Sequence, residues 1–340
     1  MQRRVWLPWT EVEWSSDAML EEYMEADRRR GFEMNQAPLM RLHLIHVGTK
    51  EHIFVWTHHH ILLDGWSMAM VLQELIAYYE SEGTAQLPST PNYREYVGWI
   101  QQQDRAMAME YWRRQMEGFA SPTPIPFVKM AASVGGSTPS RRALVMTRAE
   151  TAKVVKYARE HNLTVHTLLQ AAWAVVLSGH SGEEDVVFGT TSSGRSTASN
   201  VITNLEKMVG MLINTTPTRV LVKREQPVVW WLKKAQERQM ETQQYEWLPL
   251  ATIQTMSEVG RGVSLFDSLF VFENYPIAKD MESGLVGEKK MKFGNVVGYE
   301  KTNVAVSIAA MLQGDVLMLS ALHTVDRIAV VRVEMLLRAL

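Results

Sequence analysis

The sequence predicts an α/β protein made of two successive sandwiches of helices on sheets. Three observations lead there. The chain has 340 residues, more than one hydrophobic core ordinarily serves and a fitting length for two subdomains. Strand and helix patterns alternate through a first block and then restart in a second. Between the blocks, the stretch from Ser121-Pro122-Thr123-Pro124 to Gly135-Gly136-Ser137-Thr138-Pro139 gathers the turn residues of a linker. The division expected is 1–120, a linker over 121–142, and 143–340.

Residues 22–47 open with a charged helical stretch, Asp27-Arg28-Arg29-Arg30 before Gly31-Phe32-Glu33. Pro38-Leu39-Met40-Arg41-Leu42 then leads into a strand ending near Val47. Gly48-Thr49-Lys50-Glu51 supplies a turn, and residues 52–61 return as the second strand of a hairpin. Side chains alternate along a strand, so Phe54, Trp56, His58 and His60 share one face if the strand stays regular. Ile53, Val55, Thr57 and His59 take the other, which separates the tasks of His59 and His60. After Asp64-Gly65, the apolar residues Met68, Val71, Leu72, Leu75, Ile76 and Tyr79 mark one stripe of an amphipathic helix. A further helical segment over 92–117 contains Tyr93, Tyr96 and Trp99.

In the second block, Val165, Leu168, Leu169, Ala172 and Val176 predict a helix ending near Gly179. The strand Asp185-Val186-Val187-Phe188-Gly189 follows. Next come a strand over about 210–222, a helix over about 226–243 and a strand over about 264–273. A hairpin over 303–324 turns at Gln313-Gly314-Asp315, and residues 325–340 are helical in pattern.

Composition narrows the function. Apolar residues make up 46% and charged residues 21%, as in globular proteins. A net charge of −2 argues against non-specific binding to nucleic acid or an anionic membrane surface. No apolar run approaches the length needed to cross a bilayer, and Met1-Gln2-Arg3-Arg4-Val5-Trp6 has no apolar core of a secretory signal. The absence of cysteine excludes disulfides, thiolate metal sites and a thiol nucleophile. A cytoplasmic protein without a metal is the expectation.

The most informative segment is Thr57-His58-His59-His60-Ile61-Leu62-Leu63-Asp64-Gly65-Trp66-Ser67. A histidine, three apolar residues and Asp-Gly can set an imidazole at a strand end with a carboxylate just beyond it. The run resembles the His-His-x-x-x-Asp-Gly motif of the condensation domains of nonribosomal peptide synthetases, trailing Trp-Ser included. These belong to the acyltransferases shaped like chloramphenicol acetyltransferase. Tyr93-Arg94-Glu95-Tyr96-Val97-Gly98-Trp99 resembles the family's aromatic motif, with Glu95 where aspartate is usual. Asp185-Val186-Val187-Phe188-Gly189-Thr190-Thr191 with Ser193-Gly194-Arg195 resembles the opening of its second half. Val209-Gly210-Met211-Leu212-Ile213-Asn214-Thr215 and Leu265-Phe266-Asp267-Ser268-Leu269-Phe270-Val271-Phe272-Glu273-Asn274-Tyr275-Pro276 resemble two later segments. The matches run through the chain in family order.

The resemblance implies two chloramphenicol acetyltransferase-like subdomains in a V-shaped pseudo-dimer with a tunnel between them. It implies amide formation between a donor aminoacyl or peptidyl thioester and an aminoacyl acceptor. Both ride on the 4'-phosphopantetheine of upstream donor and downstream acceptor peptidyl carrier domains, beside an adenylation domain. The domain itself binds no cofactor. His60 is implied as the catalytic residue, taking a proton from the attacking amine or orienting it. His59, Asp64 and Gly65 are its structural support, and Trp66, Ser67 and Asn214 candidates to face the tunnel. Asn214 serves equally well as a group that satisfies backbone in a strand. The family's opening stretch, with an arginine that pairs with the motif aspartate, has no counterpart in these residues. That motivates a second hypothesis, a truncated and inactive domain that docks carriers or modules without making a bond.

Plainer readings compete for several residues. His58, His59 and His60 alternate across a strand, and no cysteine or carboxylate pattern completes a metal shell beside them. The run Arg28-Arg29-Arg30 reads as a solvated helix face, Tyr96 and Trp99 as core aromatics, and Glu273-Asn274-Tyr275-Pro276 as a strand exit. The aspartate-rich motif of cyclisation domains and the Glu-Gly-His-Gly-Arg signature of epimerisation domains do not occur here. The His58-His59-His60 and Leu62-Leu63 context leans toward the type that joins two L-amino acids.

Overall fold

The computed structural model describes residues 4–48, 51–129, 139–260, 262–273, 296–300 and 302–340. The chain forms two compact units, Met1–Gln73 with Val209–Met211, and Glu74–Met208 with Leu212–Leu340.

In the first unit, β1 (Trp9–Trp14), β2 (Met40–Val47) and β3 (Glu51–His58) form a three-stranded sheet in that order. β1 runs parallel to β2 and β3 antiparallel to it, with Leu42 opposite Trp56 and Met40 opposite His58. α1 (Leu20–Arg30) has Glu21 and Glu22 in its first turn and Arg28, Arg29 and Arg30 in its last. That order of charge opposes the helix dipole at both ends. Gly31, at φ 60°, accepts the left-handed geometry that stops the helix. Arg28 pairs with Glu21 and Arg29 with Glu25 on the solvent side.

Polar groups fasten α1 to the sheet. Arg41 and His43 on β2 and Asp27 on α1 are buried, at 5%, 5% and 8% exposure. Arg41 donates to the Asp27 carboxylate, to the Asp27 carbonyl at 2.6 Å and to the Gly31 carbonyl at 2.7 Å. The Tyr23 hydroxyl meets His43 Nδ1 at 2.8 Å. Burial is the largest single influence on Asp27 and pushes its carboxyl upward. Hydrogen bonds from Arg41 and Thr57, with the charges of Arg41 and His43, outweigh it and hold the carboxyl below its ordinary value.

The second unit is built on a six-stranded mixed sheet in the order β4 (Pro139–Val145), β9 (Val316–Thr324), β8 (Val306–Gln313), β7 (Ser268–Glu273), β5 (Asp185–Ser192), β6 (Asn214–Leu221). Its largest core joins Trp173 and Leu177 of α6 (Val165–Ser181) to Phe188, Phe270, Ile308 and Leu319 of the sheet and Leu336 of α9 (Val330–Ala339). Thr164 caps the start of α6 through the Thr167 N–H, and Gly182 at φ 78° ends it. α5 (Arg148–Glu160) opens with a capping box between Thr147 and Glu150. α7 (Val228–Gln243) and α8 (Leu250–Gln254) follow β6.

The structure corrects several expected elements. The return strand ends at His58 rather than near residue 61, because His60–Leu62 closes a 3-10 turn. The helix expected over 92–117 is two helices, α3 (Tyr93–Gln101) and α4 (Arg105–Met116). Asp104 starts the second one by accepting the Met107 N–H at 3.0 Å. β1 was not among the expected elements: its polar–apolar alternation spans only Glu11-Val12-Glu13-Trp14, and its ladder with β2 makes it a strand. Of the expected linker, residues 130–138 lie outside the described residues, as do Asn274, Tyr275 and Pro276 of the expected strand exit and Thr49 and Lys50 of the expected turn.

Candidate active site

The histidine run lies where β3 gives way to α2 (Gly65–Glu80). The backbone N–H of His59 donates to the Leu39 carbonyl at 2.8 Å, extending the pairing one residue past the strand. Its ring then turns back on the chain: Nδ1 accepts the Ile61 N–H at 3.1 Å and caps the 3-10 turn. His60 opens that turn and is exposed, so it leaves the alternation of Phe54, Trp56 and His58. The two adjacent histidines thus differ in their surroundings, through a turn and not through strand pleating.

Asp64 is fully buried and sits just ahead of α2. Its carboxylate accepts the Ser67 N–H at 2.8 Å, and its carbonyl accepts the Met68 N–H at 2.9 Å. This is N-capping, which satisfies a backbone donor left over at the helix start and places a negative group at its positive end. Gly65 begins the helix and Trp66 is half-buried beside it. Ser67 is fully buried, and its hydroxyl exchanges two hydrogen bonds with Gly210. It donates to the Gly210 carbonyl at 2.9 Å and accepts the Gly210 N–H at 3.0 Å. The Asp64 N–H also points to that carbonyl, at 3.4 Å. The motif turn is therefore held by its own aspartate and by the distant segment Val209–Met211.

His58 is half-buried at the end of β3. Burial, and then the nearby charges of His60 and His59, push its imidazole below the usual histidine value, which favours the neutral ring at pH 7.

In the second unit, Asn214 opens β6 and uses its amide on backbone. Nδ2 donates to the carbonyls of Glu246 at 2.6 Å and Leu248 at 2.9 Å. The loop it pins carries Glu246, only 6% exposed, whose carboxylate accepts the Thr197 hydroxyl at 3.0 Å. Tyr96, Trp99, Ser192, Gly194, Thr197, Asn214, Glu246 and Trp247 line a tight cleft there. Gly194, at φ 64°, admits no side chain: a Cβ would stand 1.9 Å from the Leu212 carbonyl oxygen. Tyr96 and Trp99 stack at 5.8 Å within a buried apolar cluster. Burial raises the Glu246 carboxyl to about 7, against the downward pull of neighbouring hydroxyls.

Residues 7–324 match the family described as Condensation domain. This chain belongs to the condensation-domain family of nonribosomal peptide synthetases. The condensation domain is 40% identical over 333 residues to one of the linear gramicidin synthase proteins of Brevibacillus parabrevis, covering 96% of this chain. It is 35% identical over 302 residues, 87% of this chain, to bacitracin synthase 3 of Bacillus licheniformis. The chain spans 6% of the length of the first of these curated relatives and 5% of the second. A holo four-domain nonribosomal peptide synthetase bound to AMP and glycine aligns at a TM-score of 0.81 and 17% identity, over 98% of this chain and 26% of that one. At that identity the likeness concerns the fold, a mixed α/β architecture whose two sheets suit two chloramphenicol acetyltransferase-like subdomains. By family, the condensation domain is an acyltransferase.

Among the described residues of the condensation domain, no group of three His, Cys, Asp or Glu is placed to hold a metal ion. No described helix is long and apolar enough to cross a membrane. Two features escaped the sequence. Ser67 and Gly210 each lie in a motif, yet nothing in either motif points to the other. Glu246 had one local signal, a carboxylate set between Tyr245 and Trp247.

The Asp64 cap and Glu246 each carry a test. Asp64→Ala is expected to lower stability by about 1 kcal/mol, as losing an N-cap does, while Asp64→Asn retains most of it. Equal losses in urea unfolding of the two variants would contradict the capping role. Glu246 binds its proton more tightly folded than unfolded, so its contribution is full below its ordinary value of 4.5 and is lost as pH rises through about 7. Glu246→Gln is expected to flatten the fall in thermal midpoint across that window and to be more stable than the parent above it. An undiminished slope in the variant would assign the pH dependence elsewhere.

Proposed function

We propose that this condensation domain joins a carrier-bound aminoacyl or peptidyl thioester to a carrier-bound aminoacyl acceptor, both residues in the L configuration. The acceptor amine attacks the thioester carbonyl, the C–N bond forms, the C–S bond breaks, and the donor arm leaves as its thiol while the amine gives up a proton. His60 takes that proton or orients the amine, with His59, Asp64 and Gly65 shaping the turn that presents it. Trp66 flanks that turn and is carried as a tunnel-facing residue. Ser67 and Asn214 are also proposed to face the tunnel; each spends hydrogen bonds on backbone within its own unit, Ser67 on Gly210 and Asn214 on Glu246 and Leu248. The observation that carries the reading is the turn itself, which exposes His60 while its neighbours His59 and Asp64 are engaged with local backbone.

Substrates on 4'-phosphopantetheine imply donor and acceptor carrier domains, an adjoining adenylation domain and a cytoplasmic setting, with no cofactor held by the domain itself. The organisation into 1–120, a linker over 121–142 and 143–340 is part of the same reading. Holding two carrier-borne reactants in register can supply roughly 7–11 kcal/mol of the barrier, so positioning is the main contribution expected. Intact-protein mass spectrometry tests the proposal, with an aminoacyl-loaded donor carrier, an aminoacyl-loaded acceptor carrier and this chain. Dipeptide on the acceptor carrier supports it. A folded chain that binds both carriers and yields only background is instead an inactive docking scaffold.

A further inference from the structure

Thr197, in the loop after β5, stands between two acceptors. Its hydroxyl oxygen lies 3.0 Å from the Gln243 carbonyl and 3.0 Å from the Glu246 carboxylate. Gln243 is the last residue of α7, where a carbonyl has no partner within the helix. A hydroxyl carries one proton, so it serves one of the two well and leaves the other short. An ionised Glu246 has no proton to offer and keeps that conflict inside a buried cleft. A neutral Glu246 removes it: the carboxyl O–H donates to Thr197, and Thr197 donates to Gln243.

The surroundings of the carboxyl suit the neutral acid. Glu246 is 6% exposed and shares its cleft with the rings of Tyr96, Trp99 and Trp247. Tyr96, from α3, is the other ionisable group in that lining. Arg195, on the same loop as Thr197, aims its guanidinium at the Ser193 and Met208 carbonyls. Burial comes first among the influences on Glu246 and no charge is among them, in keeping with a carboxyl raised to about 7.

The backbone on the Glu246 side is fastened independently of its carboxyl. Asn214 holds the Glu246 and Leu248 carbonyls, and Trp112 donates its indole N–H to the Tyr245 carbonyl at 3.1 Å. The loop over 193–197 is bound in turn to the residues on either side of Val209–Met211. Arg195 donates to the Met208 carbonyl at 3.2 Å, and Gly194 packs against the Leu212 carbonyl. Between those two lies Gly210, the partner of Ser67 in the motif turn.

We infer that Glu246 is a positioning residue that works as a neutral acid, its carboxyl proton completing a chain from Glu246 through Thr197 to the Gln243 carbonyl that latches the loop after β5. Loss of that proton unlatches the loop and loosens its hold on the residues flanking Gly210, and so on the turn that presents His60. The latch stands on the geometry of the second unit alone; its effect on rate rests on the amide-forming function proposed above.

The test is a pH titration of the full chain by NMR, with glutamate labelled at its carboxyl carbon and Glu246→Gln assigning the resonance. The Glu246 carboxyl is expected to titrate near 7, well above the ordinary value of 4.5. Backbone amides of residues 193–197 and 208–212 should move with the same midpoint. In Glu246→Gln, whose amide keeps a donor toward Thr197, they should stay still through that window. In Thr197→Val, which cuts the chain at its middle, they should take the unlatched positions at every pH. In the carrier assay, the ratio of parent kcat to Glu246→Gln kcat should fall about fivefold between pH 7 and pH 8, as one lost proton dictates. A base at His60 gives the opposite slope, and a merely structural carboxyl gives a flat ratio. A Glu246 carboxyl that titrates near 4.5, amides that ignore it, or a flat kcat ratio overturns the inference. The two readings fail separately. A chain that makes no dipeptide while its amides follow Glu246 removes the function and keeps the latch, whereas His60-dependent dipeptide with a flat ratio does the reverse. Unchanged amide spectra of the six-stranded sheet at pH 6 show that both variants are folded.

Discussion

Replacing His60 by alanine is expected to lower dipeptide formation by about 10²–10⁴-fold, the range that general acid–base assistance supplies. The side chain is exposed at the start of a 3-10 turn and no packing depends on it, so the thermal midpoint should stay at the parent value. His59→Ala should behave differently. It removes the acceptor of the Ile61 N–H that shapes the turn, so loss of activity comes together with a looser turn. A pH–rate profile of the parent separates the two tasks open to His60. A limb that vanishes in His60→Gln marks a base, whereas a shared profile with a uniformly lower rate marks orientation. Full activity in His60→Ala would remove this residue from the mechanism.

Arg41→Leu is expected to destabilise the first unit by about 3–5 kcal/mol, because it strands the Asp27 carboxylate in a buried site. The double variant Asp27→Leu with Arg41→Leu should recover part of that loss, since desolvation then ceases to oppose folding. The pH dependence has a definite sign. In the parent, the Asp27 carboxyl is held below its ordinary value of 3.8, so its contribution is present above that value and is lost as pH falls through the lower folded one. Without the guanidinium, burial pushes the same carboxyl upward. The Arg41→Leu protein should therefore gain more stability on mild acidification than the parent, whose own gain comes from Glu246. Urea unfolding across acid pH checks this, and a variant whose stability runs parallel to the parent's would show that Arg41 acts by packing alone.

Much of this molecule could be read from neighbouring residues. The helix after Gly65 follows from its apolar stripe, and the hairpin at Gln313-Gly314-Asp315 appears as β8 and β9. The family is legible from short motifs in order, because such motifs are local strings that keep their residue types and spacing. A short element was illegible: β1 is mostly exposed, alternates only over Glu11-Val12-Glu13-Trp14, and becomes a strand through its ladder with β2.

The candidate site divides in the same way. That His60 is the candidate was legible from the motif. That it leaves the strand face was not, because strand pleating and a 3-10 turn are both compatible with His-His-Ile-Leu, and the ring of His59 decides between them through a single hydrogen bond. Ser67 and Gly210 are separated by 143 positions, and Asn214 and Glu246 by 32. Local pattern reports which face of an element is apolar, since that depends on residues a turn or a pleat away. Which buried hydroxyl, amide or carboxyl meets which distant carbonyl depends on where the chain returns, and only the folded backbone sets that.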